Sequence, residues 1–203
     1  MANYLYRGDL PARLDLGPVV AVDSETMGLN PARDRLCLVQ LSAGDGDAHL
    51  VQVSPGLEAP NLTALLGDGA RLKLFHFGRF DIAVLLHRFD VLTRPVYCTK
   101  IASRLVRTYT DRHGLKDLAR ELLDVDISKQ QQSSDWGAAE LSQAQVEYAA
   151  SDVLYLHRLR EVLDARLARE GRTALAQACF DFLPERARLD LAGWGDVDIF
   201  AHS

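Results

Sequence analysis

The chain has 203 residues, 48% hydrophobic and 25% charged, which fits one packed α/β-sized domain spanning 1–203 and leaves a second domain cramped. Its formal net charge of −5 argues against a protein that grips long duplex nucleic acid through many phosphates. Any nucleic-acid substrate is expected to offer few phosphates, with bound cations carrying much of the positive charge.

The apolar stretches are too short to cross a bilayer. The start, MANYLYRGDLPARLD, lacks the basic and apolar regions of a secretion signal, so a cytoplasmic protein without membrane contact is expected. Residues 19–23 (VVAVD) and 36–42 (LCLVQLS) read as strands, and the turn-rich GLNPARDR between them predicts a hairpin. A third strand is expected over 47–53, a short helix over 61–67, a fourth strand over 71–77 and a helix over 80–89. The second half is helical in pattern. Short amphipathic helices are expected over 99–107 and 114–123. A long one follows over 142–170, capped by Ser142 and stopped at Gly171, and another spans 173–192, interrupted or bent at Pro184. Strands first and helices later predict a central mixed sheet flanked by helices. Cys37, Cys98 and Cys179 are far apart among apolar neighbours and read as reduced core residues.

Against that background five side chains stand out. Asp23 and Glu25 end the first strand, Asp81 opens the helix after a central strand, and Tyr148 and Asp152 lie four apart late in the chain. Each carboxylate interrupts an apolar stretch, and a carboxylate near a core without a cationic partner costs several kcal/mol unless it is protonated or holds a metal. Two residues apart on a strand, Asp23 and Glu25 point the same way; four apart on a helix, Tyr148 and Asp152 share a face. Oxygen ligands without His or Cys favour Mg²⁺ or Mn²⁺. Two such ions can clamp the attacking and leaving oxygens of a phosphoryl displacement, with Tyr148 orienting the water. Taken singly, none of these elements is specific: a lone Asp-x-Glu is commonly a solvated turn, and a histidine such as His76 is most often a bonded core residue.

In order and spacing, the strand-borne Asp-x-Glu, the His-x-x-x-Phe-Asp of FHFGRFD and the helical Tyr-x-x-x-Asp resemble the three motifs of the DEDDy 3′–5′ exonucleases, the ribonuclease D-like family. The likeness runs from about residue 4 to about residue 170 and includes LCLVQLS, CTKIASRL, HGLKDLARELL and SDW. SKQQQSSDW, RTYTDRHGLK and the ending DIFAHS are similar to the short alphaproteobacterial nanoRNase C branch, which degrades very short RNA. The resemblance implies a ribonuclease H-like fold and two Mg²⁺ or Mn²⁺ ions per site. Asp23 would bridge both ions, Glu25 and Asp152 would complete one and Asp81 would support the other. It also implies that Leu29 wedges between the two terminal bases, with Thr26 and the Met27 backbone near the terminal nucleotide and His76 near the scissile phosphate. A core leucine is the alternative for Leu29.

Arg107, Arg112, Lys116, Lys129 and SKQQQSSDW are candidates for the substrate's 5′ phosphate, or simply a solvated loop. Trp136 reads as a packing anchor more than a stacking platform. The tail carries Trp194, Ile199 and Phe200, which either meet another subunit or fold back on their own. The resemblance implies a ring-like homo-octamer and short single-stranded RNA, dinucleotides above all, as partner. Trimming of longer RNA, tRNA included, or of DNA 3′ ends, and a non-catalytic nucleic-acid adaptor are the competing readings.

Overall fold

The structure, a computed structural model, describes residues 2–128 and 130–202. The expected hairpin is present as β2 (Val19–Thr26) and β3 (Leu36–Ser42), paired antiparallel with Asp23 opposite Gln40. β4 (Ala48–Gln52) adds antiparallel to β3, and β5 (Leu72–Phe75) adds parallel to β2. Two strands were not foreseen. β1 (Asn3–Arg7) lies parallel to β4 at one edge, and β6 (Val96–Cys98) lies parallel to β5 at the other. The first is largely exposed and so lacks an apolar signature; the second is three residues long. The six-stranded sheet runs β1-β4-β3-β2-β5-β6 and is mixed. β3 is buried along its whole length because it is central and covered on both faces, which explains its unbroken apolar run.

The helices are α1 (Pro60–Gly67), α2 (Arg79–Phe89), α3 (Thr99–Val106), α4 (Leu115–Leu123), α5 (Gln143–Leu154), α6 (Leu156–Arg169) and α7 (Thr173–Leu189). α1 begins at Pro60 and is capped from afar: the Asp9 carboxylate accepts the amides of Asn61 and Leu62, both at 2.9 Å. The expected long helix is two. The chain breaks at Tyr155 (φ −106°, ψ −4°), and α6 sets off so that His157 Nε2 reaches the carbonyl of Val19 at 3.2 Å. Ser142 does cap α5, in a reciprocal capping box with Gln145. Pro184 does not end α7, which continues to Leu189 before a wider turn over Asp190–Trp194 closed by Gly193 at φ 99°. Cys37 and Cys98 are buried and Cys179 half-buried, all free. Among the described residues no helix is long and apolar enough to cross a membrane.

Two buried cations are structural. Lys73 on β5 gives its ammonium protons to the carbonyls of Asp68, Arg71 and Arg94, each at 2.7 Å, while burial pushes its pKa down to about 8. Arg107 is fully buried and pairs with Glu121. It also donates to Ser103 Oγ at 3.0 Å and to the carbonyl of Arg112 at 2.6 Å. With four of its five N–H donors spent and the side chain fully buried, Arg107 is poorly placed to hold a substrate phosphate. Lys129 lies outside the described residues.

Substituting Lys73→Met strands three carbonyls and is expected to lower stability by about 3 kcal/mol. Urea denaturation checks this, and a loss under about 1 kcal/mol would mean that other donors take over.

Candidate active site

β2 carries Asp23 and Glu25 within the strand rather than at its end, and strand alternation puts both on one face. α5 packs across β2, β3 and β4 and presents Asp152, one turn beyond Tyr148. Carboxylate oxygens of Asp23, Glu25 and Asp152 lie within 4.8 Å of one another. Asp81, buried in the first turn of α2, stands outside that triplet and accepts a hydrogen bond from Ser24 Oγ at 2.6 Å. Strand alternation turns Ser24 away from its two acidic neighbours, but Asp81 lines the same cleft as Asp23 and Glu25. Its charge nonetheless reaches Asp23 and Glu25.

The electrostatics follow from this crowding. Burial, and then the charges of Asp81, Asp152 and Glu25, hold the Asp23 carboxyl well above the ordinary range. Burial and the charges of Asp152 and Asp81 raise Glu25 to about 9. Burial raises Asp81 to about 7 against the opposing hydrogen bond from Ser24. Tyr148 is raised as well, by burial and by Asp152, to which it is hydrogen-bonded. Three carboxylates share one small volume. An oxygen-only set of this kind fits a hard divalent ion, whose charge would reverse each of these shifts.

Seven of the nine expected site residues line a cleft of about 1030 Å³: Asp23, Glu25, Thr26, Met27, Leu29, His76 and Asp81. Tyr148 and Asp152 line an adjoining recess that shares Asp23, Glu25 and His76 with it. Leu29 is 89% exposed on the hairpin loop, so the core-leucine alternative fails. Gly28 permits that loop: a Cβ there would fall 2.8 Å from Cγ of Asp34, whose carboxylate accepts the Asn30 amide at 2.9 Å. The amide of Met27 is already spent on the Arg35 carbonyl (3.0 Å), and the Thr26 hydroxyl donates to the carbonyl of Gly28. Trp136 is buried with its ring 6.0 Å from that of Tyr148, an anchor as expected.

His76 Nδ1 lies 2.9 Å from Thr99 Oγ1, which itself donates to the Phe75 carbonyl at 3.2 Å. A hydroxyl has one proton to give, so the Nδ1–H donates and Nε2 is left as the other ring nitrogen. Phe77 holds a left-handed backbone (φ 65°) at a cost of about 1 kcal/mol or more, and its ring lies under the Lys100 ammonium at 4.1 Å. Gly78 makes the turn possible, since a Cβ there would meet Phe75 Cβ at 2.6 Å. Phe77 and Lys100 line the recess with Lys116, Ser128 and Gln132. Sequence reading missed Ser24, Gln40, Phe77 and Lys100. Only Gln40, a polar residue inside an apolar strand, carried a visible signal. Arg112 is exposed and outside both hollows. The tail partly folds back, with Arg79 bonded to Asp190 (2.6 and 2.7 Å) and to the Gly195 carbonyl, yet Phe200 remains 76% exposed.

A mixed sheet with carboxylates converging from β2, α2 and α5 is the architecture of a metal-dependent nuclease. The family model described as 3′-5′ exonuclease matches residues 9–168, and the chain belongs to that family. A solved structure titled Brucella melitensis NrnC with bound Mg2+ is 60% identical, covers 100% of both chains and superposes with a TM-score of 0.96. The same protein bound to pGG gives 61%, full coverage and 0.97. Escherichia coli RNase D is 28% identical with a TM-score of 0.73, over 84% of this chain and 45% of that one. A curated relative, Ribonuclease D of Granulibacter bethesdensis, is 38% identical over 77% of the chain; the chain spans about 40% of that relative's length.

Without a cation, the raised carboxyls keep protons in the folded state that the unfolded chain has released. Stability from this cluster is therefore full below about pH 4 and is lost as pH rises through the folded values, about 7 for Asp81 and about 9 for Glu25. Divalent ions bind the deprotonated form and remove that loss. At a hundredfold excess over Kd, Mg²⁺ should raise Tm by roughly 5–10 °C near about pH 8.5 and clearly less near about pH 5.5. Scanning calorimetry with and without Mg²⁺ reads both limbs, and an equal shift at the two pH values would contradict the assignment.

Proposed function

We propose that this protein is a divalent-metal-dependent 3′–5′ exoribonuclease that hydrolyses very short RNA, dinucleotides above all, to 5′-mononucleotides. The observation that carries the reading is the Asp23–Glu25–Asp152 triplet with Tyr148 beside it. Bound Mg²⁺ or Mn²⁺, two per site in this reading, would supply Lewis-acid activation of water and charge neutralisation at the phosphate. Asp23 would face both ions, Glu25 and Asp152 one of them, and Asp81 the other.

Tyr148, raised above its ordinary value, keeps its proton at neutral pH and serves to orient the attacking water rather than to deprotonate it. His76, which lines both hollows, would lie near the scissile phosphate in this reading. Leu29 has the exposure a wedge between two bases needs, and Thr26 and Met27 border the terminal nucleotide. Support for a very short substrate comes from the full-length likeness to a protein solved with pGG and from the acidic balance of the chain. The exposed tail residues support a homo-oligomer, the octamer of the family resemblance, which native mass spectrometry would read directly. Trimming of longer 3′ ends is the second reading, favoured by the ribonuclease D relatives.

Asp23→Ala should lower kcat by roughly 10³-fold or more, and Tyr148→Phe by about 10²-fold with KM little changed. A time course on 2-, 7- and 20-nucleotide RNAs of equal concentration should show the dinucleotide cleaved fastest. A dinucleotide that is the slowest of the three transfers the assignment to 3′-end trimming. Equal rates for the parent and Asp23→Ala would end the exonuclease reading.

A further inference from the structure

β3 is buried throughout, and two of its seven residues are polar. Ser42 is fully employed: its hydroxyl donates to the Asp47 carbonyl at 2.7 Å and accepts the Gly44 amide at 3.2 Å. Gln40 is not. Its partners across the sheet are Asp23 on β2 and Leu50 on β4, one acidic and one apolar. Its Nε2 donates to Asp23 Oδ2 at 3.4 Å, while Oε1 has no hydrogen-bond partner among the described residues. Half of a fully buried carboxamide is therefore unsatisfied.

An orphaned buried acceptor destabilises a fold, and an apolar residue of similar volume on this strand would avoid the penalty. The core has no use for an amide here, but Asp23 does. A carboxylate that is to bind cations needs a donor that fixes its plane without cancelling its charge. Lys or Arg in this place would compete with the ion; a neutral amide does not. Held by the Gln40 amide at Oδ2, with the Ser24 backbone as a further donor, the Asp23 carboxylate keeps lone pairs for ligation.

We propose that Gln40 is a positioning residue whose amide orients the Asp23 carboxylate for cation binding, retained at a cost in core stability. The inference rests on the exonuclease reading and deepens that same site.

The test compares the parent with Gln40→Met and Gln40→Leu, both of which remove the donor and the orphaned acceptor together. Mg²⁺ affinity is read by calorimetry, Tm by circular dichroism, and kcat and KM on a dinucleotide across a Mg²⁺ titration. Expected are a Tm equal to or above the parent's, Mg²⁺ binding weaker by roughly 10–100-fold, and kcat partly restored by excess Mg²⁺ with KM unchanged. Parent-like Mg²⁺ affinity in both variants overturns the inference and leaves the exonuclease reading standing. A lowered Tm or failure to fold in both also overturns it, since the amide would then be structural. A parent that binds no Mg²⁺ overturns the exonuclease reading itself, and the inference with it.

Discussion

Mutual repulsion among buried carboxylates is the constraint around which this molecule is arranged. Carboxylate oxygens of Asp23, Glu25 and Asp152 lie within 4.8 Å of one another, and Asp81 adds its charge from the first turn of α2 in the same cleft. Such a cluster opposes folding unless protons or cations occupy it. It survives because the rest of the structure holds it rigidly. β2 is a central strand paired on both sides, α5 lies across three strands, and α2 is tied to β2 through Ser24. Strain that would relax in a loop is locked in by the sheet.

The approach to this cluster is built from less regular pieces. The hairpin loop that raises Leu29 depends on Gly28 fitting against Asp34, and the β5–α2 turn depends on Gly78 fitting against Phe75. The His76–Thr99 and Phe77–Lys100 contacts latch that β5 turn to the start of α3. The two sides differ in character. One offers an exposed apolar residue suited to bases, and the other offers Lys100 and Lys116, suited to phosphate. Two lysines thus stand beside three carboxylates in the recess, within a chain that is acidic as a whole.

Buried polar groups elsewhere show the contrast between support and function. Lys73 gives its ammonium protons to three carbonyls and Arg107 spends four of its five N–H donors on nearby acceptors, and both stabilise turns and helix packing. Gln40 is left half-satisfied beside the ligand cluster. This half-satisfied amide sits against the carboxylate cluster, where local stability is commonly sacrificed.

The hairpin, the Ser142 cap and the five acidic and phenolic candidates that line the two hollows were legible in the sequence because each depends on local pattern: apolar runs, capping pairs, carboxylates interrupting a core. The edge strands, the break at Tyr155 and the capping of α1 by Asp9 were not, because each is decided by a partner distant along the chain. The same reason hid Ser24 and Gln40, ordinary residues that acquire meaning only beside Asp81 and Asp23. It also misled over Arg107, whose charge suggests a phosphate until Glu121 and the carbonyl of Arg112 enclose it. What the sequence by itself determined was the set of reactive groups and their pairing along each element. Which groups meet, which are buried and which are already spoken for was decided only by the tertiary structure, since burial and hydrogen-bond partnership belong to pairs of surfaces that the linear order does not record.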